Sequence, residues 1–415
     1  MGSLNRRSFF RAGAGGIAGA FGMRNLSAAV QDNSTPYQRP KLKITDVKSA
    51  NIFGFHVRIY TDQGLYGDGE GVDAVSGGPS IIQGFRYALV GQSPLNIEGI
   101  WERIRTSGVF GGAQAGQYVA TLTAVEVALW DLAGKALNLP IYQLMGGKLR
   151  DRIRVYADCG TDSRDDPQAK AYIDQVIDNH FTMTKIDVDD AADPARFDRV
   201  NWTANNAEID HMVDKVRFMR ESLPKSIELA VDMHARYDLG TAKRFAKEVE
   251  PFRLVWLEEP VPPENIDAMK NVRDSTHTPI CCGENIYMRW GFRELFEKQA
   301  VDIIMPDIQK CGGLMEGKKI ADMAHAYYIP IAPHSQASPI GAMATAHMLA
   351  TVPNFLVVEW HWSHPPTRWE RWKNFAKQGD IIEKGDIPVP DKPGIGVEMN
   401  EEYLRKLPGV TWFPA

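Results

Sequence analysis

The hydrophobic pattern of the chain changes character near residue 150. From residue 41, apolar and polar positions alternate and are interrupted by glycine-containing turns, which predicts an antiparallel β-meander. Between residues 81 and 137 the apolar period becomes helical, and the clearest helix is predicted over 121–136, with its apolar residues on one face. Residues 41–150 are therefore predicted to form an α+β domain.

A second rhythm begins at residue 151, where short apolar runs alternate with amphipathic segments. Strands that alternate with helices are typical of a parallel sheet, and eight such units predict a βα barrel over 151–375. A proline-bearing segment follows, and we predict that residues 376–415 pack back on the first domain. The eight apolar runs are 153–157, 183–188, 227–231, 254–257, 280–282, 303–305, 329–332 and 355–358.

The first 30 residues carry a third pattern. Arg6 and Arg7 lie in a segment that resembles a twin-arginine export signal, a weakly apolar stretch follows over 12–23, and small residues at 27–29 offer a cleavage site. We therefore predict that residues 1–30 are a signal peptide and that the mature protein is periplasmic. The alternative is a basic tail on a cytoplasmic protein.

Composition narrows the class of partner. The net charge is −5, from 47 basic and 52 acidic residues, so nothing indicates a nucleic-acid binder. No apolar run reaches the roughly 20 residues that a membrane span needs. The 4 cysteines have neither disulfide nor zinc spacing, and we expect them to be buried as small apolar residues.

Three acidic residues follow apolar runs at a constant interval. Asp232, Glu258 and Glu284 follow one another at intervals of 26 residues, which is about one βα unit of a barrel of roughly 250 residues. Carboxylates at the ends of consecutive parallel strands converge, and three of them repel one another unless a cation intervenes. Ligands that are all oxygen suit a hard ion. We therefore predict one Mg²⁺ per chain, held by these three residues.

Other polar residues lie at the ends of the same predicted strands. Asp307 and His334 end neighbouring strands, so the carboxylate is expected to orient the imidazole as a base. His234 lies two residues after Asp232 and is therefore expected on the same side of that strand.

Lys185 ends the second predicted strand, and Glu359 follows the eighth. For Lys185 two interpretations remain open. It either takes part in the chemistry or forms a salt bridge to Asp187 or to the metal carboxylates.

Together these residues resemble the enolase superfamily, mandelate racemase subgroup. The motifs that carry the resemblance are Asp232-x-His234, Glu258-Glu-Pro260 and Gly283-Glu284, together with the sequence segments 124–131 and 140–147 in the first domain. The resemblance covers nearly the whole mature chain. It implies an α/β fold, a (β/α)₇β barrel of the TIM type closed by an N-terminal α+β capping domain. It also implies a Mg²⁺ site at the three acidic residues described above.

The resemblance further implies roles for single residues. His334, oriented by Asp307, is the base that removes the proton next to a carboxylate, and Glu359 hydrogen-bonds the carboxylate of the substrate. Asp187 occupies the position of the second base of racemases, which weakens a racemase assignment, and we expect it to contact the substrate. Specificity is expected in two cap loops, 71–80 and 107–116.

His234 resembles the acid that helps the 3-hydroxyl leave in galactonate- and mannonate-type sugar-acid dehydratases. We therefore expect a dehydratase of a small sugar-acid carboxylate, giving a 2-keto-3-deoxy acid, and we expect a homo-oligomer. One alternative is a racemase, epimerase or cycloisomerase that uses Lys185 and His334. A second is a sugar-acid binding protein without catalysis. The aromatic tract 360–369 is expected either to wall the pocket or to pack between barrel and cap.

Overall fold

The computed structural model describes residues 40–159, 168–189, 198, 200, 202–361 and 367–414. The predicted signal peptide, residues 1–30, lies outside this described part of the chain. Across the described ranges, no helix combines the length and apolar character needed to cross a membrane.

An antiparallel three-stranded sheet and four helices form the N-terminal part of the fold. Helix α3 packs against strand β3 so closely that a Cβ at Gly67, Gly69 or Gly71 would overlap the backbone of α3. This explains why every second residue of β3 is glycine. The elements are β1 (Ile44–Asn51), β2 (Phe55–Thr61), β3 (Tyr66–Gly71), α1 (Gly78–Leu89), α2 (Ile97–Ser107), α3 (Gly116–Leu137) and α4 (Ile141–Leu144).

Helix α3 differs from its prediction. It is longer than 121–136, and every residue from 119 to 134 is buried rather than one face only. The second buried face arises because α3 contacts helix α10 (Leu314–Ala326) of the barrel as well as the cap sheet. A helix that is covered on several sides is apolar around its whole circumference, so the period of its apolar residues does not show how many of its faces are buried.

The barrel is a parallel sheet in the order β10-β4-β5-β6-β7-β8-β9. Its strands are β4 (Arg152–Cys159), β5 (Met183–Asp187), β6 (Glu228–Asp232), β7 (Leu257–Glu258), β8 (Ile280–Cys282), β9 (Ile303–Ile304) and β10 (Val358–His361). Its other helices are α5 (Ala169–Asp178), α6 (Asn206–Ser222), α7 (Leu239–Glu248), α8 (Ile266–Arg273), α9 (Met288–Lys298) and α11 (Pro339–Leu349).

The predicted seventh strand, 329–332, is reduced to a parallel bridge at Ile331, which pairs with Ile304 on one side and Phe355 on the other. Pro330 and Pro333 flank this bridge and have no N–H to donate to a ladder, so an extended strand cannot form. The bridge still closes the barrel between β9 and β10.

The barrel interior has a core of its own. Side chains at alternating positions of the strands fill it, as expected for a TIM-type barrel. These residues are Tyr156, Met183, Ala230, Trp256, Cys281, Ile303, Met305, Ala332 and Val357. Cys281, Cys282 and Cys311 are buried free thiols, as their sequence context predicts.

The C-terminal segment contains α12 (Thr367–Lys373), β11 (Asp386–Pro388) and α13 (Glu401–Leu404). Strand β11 pairs antiparallel with β4 of the barrel, whereas Gly394 and Thr411 form bridges to the first domain at Pro140 and Asn51. The segment that was predicted to pack back on the first domain therefore contacts the barrel as well.

Two carboxylates of the first domain cap helices of the barrel. Glu70 accepts hydrogen bonds from Ser338 N, Ser338 Oγ and Gly341 N at the start of α11. Glu126 accepts from Leu314 N and Met315 N at the start of α10, and from Trp130 Nε1. Anionic groups at helix N-termini satisfy otherwise unpaired N–H groups. They fix the cap onto the barrel beside its open end.

Candidate active site

The C-terminal ends of the barrel strands bring carboxylates together. Asp232 and Glu258 are the last residues of β6 and β7 and are register partners, and both are buried. Lys185 Nζ lies between them, 2.9 Å from Asp232 Oδ2 and 3.1 Å from Glu258 Oε1. Glu284 lies two residues beyond β8, and its Oε2 is 3.1 Å from His334 Nε2. Two of the predicted metal ligands therefore form ion pairs with the ammonium group of Lys185, and the third contacts the imidazole of the predicted base, His334.

The donor set fits a hard divalent cation. Burial and the neighbouring Asp232 raise the pKa of Glu258 well above its usual range. The positive charge of Lys185 alone therefore does not balance the negative charge of this carboxylate. A divalent ion among Asp232, Glu258 and Glu284 would supply that charge through oxygen ligands. Among the described residues, two groups place ligand atoms within 4.8 Å of one another: Asp187, Asp232 and His234, and Asp158, Glu359 and His361. Asp232, Glu258 and Glu284 do not form such a group, although Asp232 belongs to one of the two.

His334 and Asp307 form a buried pair. His334 Nδ1 is 2.8 Å from Asp307 Oδ2, which leaves Nε2 directed toward Glu284 and toward Glu359 Oε2 at 3.7 Å. Burial opposes the charged imidazolium, but Glu359, Glu284 and Asp307 together raise the pKa of His334 to about 10. A cation bound at Glu284 would remove one of these three interactions and would return Nε2 toward the neutral state that a base requires.

His234 reaches the site by another route than predicted. Strand β6 ends at Asp232, and His234 adopts a left-handed backbone with φ 43°, so the strand alternation used in the prediction does not hold there. Its N–H donates to Asp232 Oδ1 at 2.8 Å, and its Nδ1 is 2.7 Å from Asp189 Oδ1. Although burial opposes the charge, Asp232 and Asp189 raise the pKa of His234 to about 11, which suits a proton donor.

Asp189 is a site residue that the sequence reasoning missed. It is buried and contacts both His234 and Arg236, whose Nε is 3.3 Å from Asp189 Oδ2. It follows β5 by two residues, at the start of a loop that reads only as polar. The contact depends on the path of the chain after β5 and not on any local pattern.

Lys185 is an ion-pair partner in this structure. Burial opposes its charge, yet Asp232, Glu258 and Glu359 raise its pKa well above the usual range. An ammonium group that is paired with three carboxylates is a poor proton acceptor, so the arrangement favours the salt-bridge interpretation of Lys185.

Glu359 and Asp187 are the two predicted substrate-binding residues, on β10 and on the same strand as Lys185. Glu359 Oε2 accepts a hydrogen bond from Ser335 N at 2.9 Å, and Glu359 Oε1 is 3.7 Å from Lys185 Nζ. Asp187 is the register partner of Asp232, and burial together with Asp158 and Asp232 raises its pKa well above the usual range. Glu359 Oε1 and Asp187 Oδ1 are buried and have no hydrogen-bond partner among the described residues.

The cap loops contribute to cavities beside this cluster. One cavity of about 380 Å³ is lined by Glu70, Asp73 and Ser76 of the cap and by Gln336 of the barrel. Another of about 500 Å³ lies between Gln114 of the second cap loop and Tyr287. In the aromatic tract, residues 362–366 lie outside the described residues, while Trp360 and Trp369 are packed in the core.

Comparison with known sequences decides the family. Residues 168–403 match the family described as "Enolase C-terminal domain-like", and residues 27–146 match "Mandelate racemase / muconate lactonizing enzyme, N-terminal domain". The chain belongs to the enolase superfamily. The predicted family and the predicted capped barrel fold are both confirmed.

Relatives within the enolase superfamily include named sugar-acid dehydratases. The chain is 40% identical over 390 residues to a D-xylonate dehydratase of Haloferax volcanii, covering 92% of this chain and 93% of the relative. It is 31% identical over 360 residues to a D-galactonate dehydratase of Pectobacterium atrosepticum, covering 84% and 89%. A crystal structure of a mandelate racemase/muconate lactonizing enzyme-like protein from Rubrobacter xylanophilus superposes with a TM-score of 0.84 at 40% identity, over 90% of this chain and 100% of that one.

Proposed function

We propose that the protein is a Mg²⁺-dependent sugar-acid dehydratase that converts an aldonate to a 2-keto-3-deoxy acid. The observation that carries the proposal is the presence of two histidine–aspartate pairs on different sides of one carboxylate cluster. Asp307 follows β9 and its partner His334 follows the bridge at Ile331, whereas Asp189 follows β5 and its partner His234 follows β6. Elimination of water needs a base at one carbon and an acid at the next, which this arrangement supplies. Sequence identity of 40% to a D-xylonate dehydratase and 31% to a D-galactonate dehydratase supports the same chemistry.

The side chains divide the reaction between them. His334 Nε2 accepts the proton from C2, and the electrons of the C2–H bond pass into an enediolate of the carboxylate. The divalent cation, when bound by Asp232, Glu258 and Glu284, supplies the positive charge that stabilises this dianion. The C3–O bond then breaks as His234 donates its proton to the departing hydroxyl, and water leaves. The resulting enol takes a proton at C3 to give the keto acid.

The surroundings of Lys185 favour dehydration over racemisation. A racemase needs a second base that is neutral at working pH, and the three carboxylates around Lys185 keep it protonated. Asp187 stands at the other position that could carry a second base, where burial together with Asp158 and Asp232 favours its protonated form and raises its pKa well above the usual range. These surroundings support a dehydratase rather than a racemase or epimerase.

The test is a screen of aldonates in D₂O with Mg²⁺ present. We expect formation of 2-keto-3-deoxy product from at least one pentonate or hexonate, together with exchange of the C2 proton. Exchange without product would favour the racemase or epimerase alternative. Binding without exchange would identify a sugar-acid binding protein, and either result would overturn the dehydratase proposal.

We also propose that the protein is exported by the twin-arginine signal at Arg6 and Arg7 and assembles as a homo-oligomer. Replacing both arginines by lysine should retain folded, active protein in the cytoplasm. N-terminal sequencing of protein from the native cell tests the cleavage near residue 30, and an intact N-terminus would contradict export. Light scattering at several concentrations tests the assembly state.

A further inference from the structure

The oxygens of the predicted metal ligands are divided between two kinds of partner. Asp232 Oδ1 accepts a hydrogen bond from His234 N at 2.8 Å, whereas Asp232 Oδ2 contacts Lys185 Nζ at 2.9 Å. Glu258 Oε2 accepts a hydrogen bond from Trp256 Nε1 at 3.0 Å, whereas Glu258 Oε1 contacts Lys185 Nζ at 3.1 Å. In each carboxylate, a neutral N–H group therefore occupies one oxygen, and an ammonium group contacts the other.

Glu284 repeats this division after the end of its strand. Its Oε1 accepts a hydrogen bond from Asn285 Nδ2 at 3.0 Å, and its Oε2 lies 3.1 Å from His334 Nε2. The neighbours of Asn285 fix the orientation of its amide. The same Nδ2 also donates to Glu259 Oε2 at 3.0 Å, and Lys310 Nζ, which can only donate, lies 3.4 Å from Asn285 Oδ1. The third carboxylate therefore also has one oxygen occupied by an N–H group.

Trp256 is the most confined of these donors. Its side chain is fully buried in the barrel interior, where its ring meets Tyr156 edge-on at a centroid distance of 5.5 Å. The indole has a single N–H group, and Glu258, two residues later in the chain, accepts it. A ring that is held in a close-packed layer cannot follow a carboxylate that rotates. Glu258 Oε2 is therefore kept on the indole, and Oε1 is the oxygen available to an ion.

One available oxygen per carboxylate suits Mg²⁺ better than Ca²⁺. Mg²⁺ requires nearly octahedral coordination by about six ligands and usually keeps several waters, whereas Ca²⁺ takes about six to eight oxygens and binds carboxylates through one or both of them. Three carboxylates that each offer one oxygen leave about three octahedral positions for water or substrate. The same three carboxylates leave Ca²⁺ short of ligands, because none of them is free to bind through both oxygens.

We propose that Trp256 and Asn285 are positioning residues that restrict Glu258 and Glu284 to one oxygen each and thereby select Mg²⁺ over Ca²⁺. The proposal rests on the Mg²⁺-dependent function above and deepens it, because it assigns the choice of ion to donors that act only through the ligands. Asp232 is restricted in the same way by a backbone N–H group, which no side-chain substitution removes.

The test is calorimetric titration of the metal-free full chain with Mg²⁺ and, separately, with Ca²⁺. Trp256→Phe keeps an aromatic ring beside Tyr156 but removes the N–H group, so Glu258 Oε2 becomes free to bind the larger ion. We expect the Kd for Mg²⁺ to rise about 10-fold, while the Kd for Ca²⁺ stays the same or falls. Asn285→Leu should shift the ratio of the two Kd values in the same direction. Its effect should be smaller, because Asn285 is exposed and water can replace its N–H group.

Matched controls separate this role from general effects on packing. Tyr156→Phe removes a hydroxyl from the same interior layer, and that hydroxyl has no hydrogen-bond partner among the described residues. It is the control for Trp256→Phe and should leave both Kd values unchanged. Asn271→Leu, at an exposed position of α8, is the control for Asn285→Leu and should also leave them unchanged.

The ratio of the two Kd values decides the outcome. An unchanged ratio in a folded variant, whether both affinities fall equally or neither falls, would overturn the proposal for that residue and leave the dehydratase function standing. If the wild type binds no Mg²⁺, the metal part of the proposed function fails and this proposal fails with it. Thermal unfolding shows whether each variant is folded. If Trp256→Phe is not, Asn285→Leu decides the question alone.

Discussion

The barrel mouth and the cap–barrel contact both bury carboxylates, but they satisfy them differently. Glu70 and Glu126 receive hydrogen bonds from backbone N–H groups at helix starts and from Ser338 or Trp130. Asp232 and Glu258 share one lysine ammonium. The first arrangement is complete within the protein and stabilises it. The second also receives hydrogen bonds, from His234 N and Trp256 Nε1, but it sets two carboxylates against one ammonium. This shortage of positive charge is the condition expected of a site that binds a cation.

The sharpest test of this contrast is the pair of histidines in the mouth. His334→Asn should lower turnover by about 10³- to 10⁴-fold and abolish exchange of the C2 proton, because no enediolate forms. His234→Asn should also abolish dehydration but retain exchange, since proton removal precedes loss of the hydroxyl. Both activities are measured by NMR in D₂O. Exchange that survives His334→Asn but is lost in Lys185→Ala would move the base to β5 and revive the epimerase interpretation.

Removal of one buried carboxylate from the barrel mouth should lower activity without lowering stability. Glu258→Gln should lower turnover by about 10³-fold in saturating Mg²⁺ and weaken Mg²⁺ binding measured by calorimetry, because an anionic ligand is lost. The melting temperature of the metal-free protein should stay the same or rise, since a buried and poorly compensated carboxylate is removed. Near wild-type activity in Mg²⁺ would contradict the assignment of Glu258 as a ligand.

The same kind of change in the cap contact should have the reverse outcome. Glu126→Ala leaves two backbone N–H groups of α10 and the indole N–H of Trp130 without their acceptor. We expect the free energy of unfolding to fall by about 3–5 kcal/mol, measured by urea denaturation. Glu297→Ala, on the exposed face of α9, serves as control and should change stability little. If the Glu126 variant were as stable as this control, the claim that the cap contact stabilises the protein would be wrong.

A buried histidine near the cap contact gives a smaller, pH-dependent effect. His347 packs between α4 and the C-terminal segment, where its Nε2 is 2.9 Å from Ile395 O, and burial lowers its pKa to about 4. The unfolded chain, with a histidine pKa near 6.5, binds the proton more readily. His347 therefore costs no stability above about pH 6.5, and the folded protein loses up to about 3 kcal/mol as the pH falls toward 4.

His347→Gln measures that loss by difference. The free energy of unfolding of the wild type should fall more steeply than that of the variant between pH 6.5 and 4, and the two slopes should agree above pH 7. Parallel slopes across the whole range would show that His347 titrates alike in the folded and unfolded chains.

Much of the fold was predictable because its signals are local. The interval between Asp232 and Glu258 equals one βα unit, and both residues end strands as predicted. The seventh strand was predicted from apolar residues, but Pro330 and Pro333 reduce it to a bridge. This outcome was predictable from the sequence, because proline has no N–H group to donate to a strand ladder.

Contacts between distant segments were decided by the tertiary structure. Asp189 meets His234 only because of the path of the chain after β5, and His361 meets Asp158 because the closing barrel pairs β10 with β4. The burial of α3 on several sides depends on the barrel packed against it. The sequence by itself determined the strand ends, the acidic residues at them and the family, because periodicity and spacing are properties of neighbouring residues. Barrel closure decided which of those residues meet, because it joins segments about 200 residues apart whose pairing no local pattern encodes.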